Sequence, residues 1–344
     1  MMASSAKPPS PVTGGGPGVP IMEAREGVLH LTDFRLHHGG CLPRVDLRWR
    51  LEGDPSLPTL ATLGGYSANR CAFDPVPRGA VWCSEVVGPG KALDSGAYCL
   101  LGLDYLGTGS AGGEDSRLPP ISSHDQARLL NLLCDALEIP RLAAIAGASY
   151  GGMVALAFAQ SFAQRVDHIL VISAAHRASP LSTAWRSVER EAVRLGLAHG
   201  DGPAGLRLAR ALAMATYRTR EEFDQRFGGE PEVGADRAWF PVERYLLSRG
   251  DAYIAKVSPG AFMTLSESID LHSVRPEAIH VPATLVAIRQ DQLVPVEDMR
   301  ELAARLPGPA RLVEIDSHYG HDAFLKEGAL LAPIFAEALG DDAA

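Results

Sequence analysis

Short runs of apolar residues alternate with longer amphipathic segments along most of the 344-residue chain. The short runs are bounded by Gly, Pro and Asp, which is typical of buried strands, whereas apolar residues spaced three and four apart predict helices. The predicted strands are 28–36, 45–51, 59–63, 98–103, 142–146, 169–173, 283–288 and 311–315. Helical segments lie between several of them, for example at 124–137 and 153–162. This alternation predicts an α/β domain with a mostly parallel sheet.

The alternation stops after the sixth predicted strand and resumes at the seventh. Helical patterns at 183–197 and 205–216 are followed there by a mixed, loop-rich portion. The whole stretch is too long for a crossover and too apolar for a linker, so we interpret it as an inserted helical cap. The predicted units are a disordered tail at 1–27, an α/β core at 28–174 and 283–344, and the cap at 175–282.

Charge and cysteine content exclude several classes of protein. Lys+Arg 32 against Asp+Glu 41 gives a net charge of −9, so no basic footprint predicts nucleic-acid binding. No apolar run suits a signal peptide or a membrane span, which predicts a cytoplasmic protein without membrane contact. The five cysteines form no CxxC pair and are expected to be reduced and mostly buried. No cluster has metal-ligand spacing, so no metal is predicted.

The segment LAAIAGASYGGMVALAFAQ carries the strongest chemical signal. Gly147-x-Ser149-x-Gly151 follows an apolar strand and precedes an Ala-rich helix, which is the context of a nucleophile elbow. Such a turn requires small flanking residues and places the serine Oγ at a helix N-terminus, where negative charge is stabilised. An N-cap serine in an ordinary Gly-rich turn is the alternative. The strand and the helix on either side favour Ser149 as a nucleophile.

A serine nucleophile needs a base and an orienting acid, expected downstream in the order acid and then histidine. Asp291 follows the seventh predicted strand, and His321 in Gly-His-Asp follows the eighth. His318 and Asp316 are the rival base and acid. The order of strand, acid, strand and histidine favours a triad of Ser149, Asp291 and His321.

An oxyanion hole needs two backbone N–H donors beside the nucleophile. Tyr150, directly after the serine, would supply one donor. Leu63 or Gly64, at the end of the third predicted strand, would supply the other. The glycines at that strand end would let a substrate approach the backbone, although a simple turn would also use them.

A second glycine motif points to a different chemistry. Gly107-x-Gly109-x-x-Gly112 matches a dinucleotide-binding fingerprint and follows a predicted strand. A dinucleotide site needs a helix directly after the motif, but Pro119-Pro120 prevents one. We therefore predict a loop over the sheet edge and no bound NAD or FAD.

Longer motifs make the chain resemble the homoserine O-acyltransferase family of the α/β-hydrolase fold, whose members activate homoserine for methionine synthesis. The motifs are GGCLPRVDLRWRLEG, SEVVGPGKALDSGAYCLLGLDYLGTGS, GASYGGMVALAFA, AWRSVEREAVR, RLARALAMATYRTREEFDQRF, DQLVP and YGHDAFL. They cover most of the chain, and several of them are not generic to hydrolases. The resemblance implies an α/β-hydrolase core with a helical lid, and a homodimer formed through the cap helices.

The resemblance also implies residue roles. The family's nucleophile, acid and base fall on the three triad residues named above. Asp322 is implied to hold the homoserine amino group, and Arg218, beside Tyr217, is implied to meet its carboxylate. An amino acid presents one cation and one anion, so an Asp and a bidentate Arg would fix both ends. A helix-start aspartate and a solvated arginine are the alternatives.

The resemblance further implies acyl-CoA as co-substrate and no bound cofactor. The sequence is similar to the succinyl-transferring branch, which favours succinyl-CoA over acetyl-CoA. The Ser-Tyr-Gly elbow and the loop at 104–113 depart from commoner forms of the family, and both could border the acyl pocket. A succinyl carboxylate would want its own cation. Arg70 is a candidate, with a surface arginine as the alternative reading.

We therefore predict a ping-pong transfer through an acyl-serine that yields O-succinyl-L-homoserine. Acetyl transfer and serine as the acceptor are alternatives within the same class. A serine esterase or thioesterase is an alternative from another class, although it would have no use for an ammonium and carboxylate clamp. A non-catalytic hydrolase-fold binding protein is disfavoured because each member of the triad has a candidate.

Overall fold

A mixed sheet forms the centre of the computed structural model, which describes residues 24–71, 85–108 and 118–340. The strands are β1 (Ala24–Arg35), β2 (Cys41–Glu52), β3 (Thr59–Leu63), β4 (Cys99–Leu103), β5 (Leu142–Ala148), β6 (Val166–Ile172), β7 (Glu232–Val233), β8 (Ala238–Trp239), β9 (Ala283–Ile288) and β10 (Ala310–Ile315). The sheet has the order β1-β2-β4-β3-β5-β6-β9-β10, and β7 pairs with β8 elsewhere. β1, β2 and β4 pair antiparallel, and all other neighbours in the sheet are parallel.

Helices cover both faces of this sheet. They are α1 (Ser123–Ala136), α2 (Tyr150–Ser161), α3 (Pro180–Ala198), α4 (Gly202–Tyr217), α5 (Arg220–Phe227), α6 (Pro241–Ile254), α7 (Pro259–Asp270), α8 (Val296–Arg305) and α9 (Gly328–Gly340). Every residue of β3, β4 and β9 is buried, as continuous apolar runs predict for parallel strands. Because successive side chains of a strand point to opposite faces, the core has two clusters. Helices α1, α2 and α8 contribute to one cluster and α9 to the other.

The first strand begins earlier than the sequence pattern indicated. β1 begins at Ala24, so the predicted boundary of the tail at residue 27 is wrong. The reason is strand pairing, since Ala24 lies opposite Glu52 and β1 extends as far as β2 supplies partners. The remainder of the predicted tail, residues 1–23, lies outside the described residues.

The chain between β6 and β9 is largely helical. It holds α3 to α7 and the β7–β8 hairpin, in the place where the sequence predicts the cap. Helices α5, α6 and α7 and the hairpin occupy the portion that the pattern showed only as mixed and loop-rich. Capping sets several of the helix starts, because an N-cap side chain accepts a backbone N–H of the first turn. These N-cap residues are Ser179, Asp201, Thr219 and Ser258.

The cysteines are less buried than predicted. Cys99 and Cys134 are buried, Cys71 is half-buried and Cys41 is exposed because it begins β2 at a turn, while Cys83 lies outside the described residues. Burial raises the pKa of the Cys99 thiol to about 11 and that of Cys134 to about 12, so neither is a ready thiolate.

The second glycine motif is described only at its start. Gly107 has a φ of +100° and packs against α7, whereas Gly109 and Gly112 lie outside the described residues. None of the helices in the described parts of the chain is long and apolar enough to cross a membrane. The same parts hold no group of three or more His, Cys, Asp or Glu residues that could bind a metal ion.

Candidate active site

Ser149 lies in a strained turn between β5 and α2. Its φ of 53° and ψ of −118° are values that a residue other than glycine rarely adopts. A Cβ at Gly147 would lie 2.3 Å from the carbonyl oxygen of Gly151, and a Cβ at Gly151 would lie 2.0 Å from that of Leu63. Only glycine fits at both positions. The turn therefore depends on both glycines of the motif and presents Ser149 at the carboxyl end of β5.

The structure brings the three predicted triad residues into one hydrogen-bonded chain. His321 Nε2 lies 2.8 Å from Ser149 Oγ, and His321 Nδ1 lies 2.7 Å from Asp291 Oδ2. The other carboxylate oxygen of Asp291 accepts the backbone N–H groups of Leu293 at 2.8 Å and Val294 at 3.0 Å. These bonds fix the carboxylate, which in turn orients the imidazole. The arrangement has the connectivity of a nucleophile, base and acid triad.

The two rival residues lie outside this chain. The carbonyl oxygen of His318 accepts a hydrogen bond from Thr219 Oγ1 at 2.5 Å, and the His318 ring packs on Tyr319. Asp316 is exposed and forms an ion pair with Arg289 at 2.6 Å. Both rivals therefore have structural partners of their own, away from Ser149.

The electrostatic setting of His321 favours its protonated form. Burial by itself would lower the pKa of this imidazole, but the Asp291 carboxylate raises it above the usual value of a histidine. The ring lies 5.7 Å from that of Tyr217 and 5.8 Å from that of Phe324, centroid to centroid. The Asp291 carboxylate would thus stabilise the imidazolium that forms when His321 takes a proton from Ser149.

The predicted oxyanion donors surround the elbow. Tyr150 is the first residue of α2, where a helix leaves its backbone N–H without an intrahelical acceptor. Leu63 ends β3, and the carbonyl of Gly64 accepts both the Gly151 N–H at 3.0 Å and the Tyr105 hydroxyl at 2.7 Å. These bonds hold the Leu63–Gly64 backbone against the elbow. The second oxyanion donor, Leu63 or Gly64, stays a prediction.

A cavity of about 230 Å³ opens directly above the triad. Its apolar lining includes Tyr66, Met153 and Phe324, beside Ser149 and His321. Its charged lining comes mainly from the cap and from the loop that carries the base. These charged residues are Arg177, Arg186, Glu189, Arg210, Asp298 and Asp322. A Ser–His–Asp triad beside a cavity with charged walls is suited to a polar, charged substrate.

Known proteins share the fold and much of the sequence of this chain. The model of the α/β-hydrolase fold family matches residues 78–328. A homoserine O-succinyltransferase of Xanthomonas campestris pv. campestris is 41% identical over 294 residues, which cover 85% of this chain and 78% of that protein. The chain belongs to the homoserine O-acyltransferase family of α/β hydrolases. The predicted fold class is therefore confirmed, and so is the resemblance on which the residue roles were based.

Other relatives differ in acceptor and acyl group. A serine O-succinyltransferase of Litchfieldella anticariensis is 32% identical and covers 88% of this chain and 90% of its own. The crystal structure of a homoserine O-acetyltransferase from Bacillus anthracis superposes with a TM-score of 0.84 at 19% identity, over 93% of this chain and 98% of its own. At that identity the superposition shows a shared fold alone.

In this member of the homoserine O-acyltransferase family, Arg218 and Asp322 form an ion pair with each other. These are the two residues predicted to bind the two ends of the substrate. Arg218 Nε lies 2.9 Å from Asp322 Oδ2, without the direction of a hydrogen bond, and Arg218 Nη1 donates to Glu222 at 2.7 Å. Asp322 lines the cavity, but Arg218 does not. Two carboxylates, Glu222 and Asp322, therefore already hold the Arg218 guanidinium, and its role toward a substrate carboxylate stays a prediction.

Arg210 is a cavity arginine that sequence reasoning missed, as it missed Arg177 and Arg186. Its guanidinium lies over the rings of Tyr217, at 5.3 Å, and Tyr253, at 4.7 Å, and it makes no ion pair within the described part of the chain. Burial opposes its charge, but the surrounding tyrosines and Asp322 raise its pKa, so it stays a cation. Arg210 and Tyr217 are seven residues apart on α4, and this spacing of two helical turns could have revealed their shared face.

Arg70 also lies away from the cavity. It donates to Glu26 at 3.1 Å and to Asp104 at 3.0 Å. Its backbone N–H is bonded to Asp104 as well, at 2.8 Å. Arg70 therefore connects the loop after β3 to β1 and to the end of β4, and it is not among the residues that line the cavity. The assignment of Arg70 to an acyl pocket stays a prediction.

Proposed function

We propose that this protein is an acyl-CoA-dependent L-homoserine O-acyltransferase that uses succinyl-CoA and acts in methionine biosynthesis. The observation that carries the proposal is one cavity that joins the Ser149–His321 pair to Arg210, a cation with no ion-pair partner among the described residues, and to the carboxylate of Asp322. An amino acid acceptor carries one carboxylate and one ammonium, which match these two groups. The 41% identity to a homoserine O-succinyltransferase supports the same acceptor and donor.

In the first half-reaction, His321 Nε2 accepts the proton of the Ser149 hydroxyl as Oγ attacks the thioester carbonyl. The tetrahedral oxyanion would be held by the backbone N–H of Tyr150 and by that of Leu63 or Gly64. The carbon–sulfur bond then breaks, the thiolate takes the proton from His321, and CoA leaves as a thiol. An acyl-serine ester remains.

In the second half-reaction, homoserine replaces CoA in the cavity. Arg210 would bind its carboxylate and Asp322 its ammonium, which directs the γ-hydroxyl toward the acyl-serine. His321 takes the hydroxyl proton as the oxygen attacks, and the ester bond to Ser149 breaks as the serine recovers that proton. The product is O-succinyl-L-homoserine. Asp291 stabilises the imidazolium in both half-reactions.

The charge of the cavity supports a succinyl group as the acyl moiety. Arg186 lines the cavity, and its guanidinium contacts Asp270 at 2.7 Å. That same carboxylate also binds Arg190, at 2.6 Å. Two arginines therefore share one carboxylate, which leaves a net positive charge at this wall. A carboxylate at the end of the acyl chain would be attracted to it, whereas an acetyl group would gain nothing from it.

A homodimer through the cap helices is part of the proposal. Leu181, Val188 and Leu195 are exposed by 58%, 59% and 62%. They are seven residues apart on α3, so they lie along one face of this helix. An apolar stripe of this kind is suited to pairing with a second copy of the chain. A cytoplasmic location also stays a prediction.

The decisive experiment follows thiol release and product mass with succinyl-CoA or acetyl-CoA, in the presence and absence of homoserine or serine. Without an amino acid we expect release of no more than about one equivalent of thiol per enzyme, from formation of the acyl-serine. Continuous release should require homoserine and should be accompanied by a mass gain of one succinyl group on homoserine. Equally fast continuous release without any amino acid would indicate a thioesterase and refute the proposal. A parallel reaction with Ser149→Ala should form no acyl adduct in intact-protein mass spectrometry, and an adduct that persists would place the nucleophile elsewhere.

A further inference from the structure

Glu189 is a buried carboxyl group in the cavity that the proposed reaction does not use. It lies on α3 with only 4% of its surface exposed, and it lines the same cavity as Ser149. Within residues 24–71, 85–108 and 118–340, it has no ion pair or hydrogen bond. A buried carboxyl without such a partner is costly, so its charge state is sensitive to whatever shares the cavity.

Charged groups face Glu189 from each helix packed around it. Its own helix contributes Arg186 and Arg190, α4 contributes Arg210 and the Tyr217 hydroxyl, and α7 contributes Asp270. Burial raises the pKa of Glu189 to about 7, although the three arginines oppose this shift. The carboxyl therefore exchanges its proton near neutral pH.

The charge balance of this group depends on Glu189 during the first half-reaction, before the acceptor enters. The cations that face Glu189 are then Arg186, Arg190 and Arg210, and the fixed anion is Asp270. With Glu189 neutral, this group has a net charge of plus two. With Glu189 ionised, its net charge is plus one. The proton of one side chain thus decides how strongly this group attracts the carboxylate of an acyl chain.

We propose that Glu189 sets the selectivity between acyl groups: as a neutral acid it strengthens the preference for an acyl chain that ends in a carboxylate, and as a carboxylate it weakens that preference. The inference rests on the proposed acyl transfer to homoserine and deepens it. Glu189 is a specificity-determining residue in this account and takes no part in bond making or breaking.

The test is the ratio of kcat/KM for succinyl-CoA to kcat/KM for acetyl-CoA, measured between about pH 6 and about pH 8.5. Titration of His321 affects both donors and cancels in this ratio, and the succinyl carboxylate stays ionised throughout the range. We expect the ratio of the unaltered enzyme to fall about tenfold as the pH rises. In Glu189→Gln, which is neutral at every pH, the ratio should be flat and at high pH about tenfold above that of the unaltered enzyme.

Glu191→Gln is the matched control, because Glu191 lies on the same helix but is exposed and paired with Arg194. Its ratio should follow that of the unaltered enzyme. The inference is overturned if the ratio of the unaltered enzyme does not change with pH. This outcome does not depend on whether a variant folds. A rise in KM for homoserine in Glu189→Gln with the ratio unchanged also overturns the inference, since it would assign Glu189 to the acceptor ammonium. Absence of acyl transfer with either donor would instead refute the proposed function.

Discussion

Replacing Arg210 tests how the acceptor is held. Arg210 is a half-buried cation without an ion-pair partner in the described part of the chain, so a bound carboxylate would be its principal counter-charge. Two unit charges about 4 Å apart at an effective dielectric constant of about 20 attract each other by about 4 kcal/mol, part of which is offset by desolvation. For Arg210→Gln we therefore expect a loss of about 2–4 kcal/mol in acceptor recognition.

This loss corresponds to a fall of about 30- to 1000-fold in kcat/KM for homoserine. Single-turnover acylation by the donor alone should stay within about threefold of the unaltered enzyme, because the first half-reaction does not involve the acceptor. The analogue 3-aminopropan-1-ol lacks the carboxylate, so it should be used equally by the variant and the unaltered enzyme. Arg218→Gln is the matched control, since Arg218 is held by Glu222 and Asp322 outside the cavity.

Opposite behaviour would refute this reasoning. If Arg210→Gln kept its preference for homoserine over the analogue, the carboxylate would have to bind elsewhere. If Arg218→Gln lost that preference while retaining the melting temperature of the unaltered enzyme, Arg218 would be the acceptor residue after all.

Three further predictions follow from the same structure. Asp291→Asn should lower kcat about 10³- to 10⁴-fold. It should also move the acidic limb of the pH–rate profile to lower pH, since Asp291 is what raises the pKa of His321; an unmoved limb would contradict this. Val188→Asp should convert a dimer to a monomer in sedimentation equilibrium, and an unaltered protein that is already monomeric would exclude the α3 interface. Arg70→Ala should leave the donor ratio unchanged, because Arg70 pairs with Glu26 outside the cavity; a loss confined to succinyl-CoA would reinstate the acyl-pocket role.

The sequence was sufficient to predict that Ser149, His321 and Asp291 come together, because each follows a strand end that a short motif marks. Gly147 is imposed by a backbone contact within the turn and Gly151 by one with Leu63 at the end of β3. Their fixed spacing on either side of the serine marks Ser149 directly. Asp291 and His321 each follow a parallel strand, and the carboxyl ends of parallel strands meet at one edge of the sheet. Linear order alone therefore predicts which residues come together.

The acceptor and acyl residues were harder to predict because their placement is not local. Arg218 is adjacent to Tyr217 in sequence, but α4 ends at Tyr217 and Arg218 turns into an extended conformation, with φ of −104° and ψ of 156°. Arg210 shares the cavity with Tyr217 because a helix brings together residues that are two turns apart. Arg70 is positioned by Glu26, 44 residues away, and no local pattern indicates that pairing.

The seam between the cap and the core also bears on how the cavity opens. Gly320, next to the base, has a φ of +57°, and a Cβ there would lie 2.7 Å from the Tyr217 carbonyl oxygen. Thr219 donates to the carbonyl of His318, and Gln292, next to the acid, donates to the carbonyl of Arg218 at 3.3 Å. These hydrogen bonds thus join the α4–α5 junction to the loop that carries Asp291 and to the loop that carries His321. If the cap moves to admit the proposed acyl donor, we therefore expect the moving part to lie elsewhere in the cap. A movement of this junction would also displace the loops of Asp291 and His321 and break the proposed proton relay.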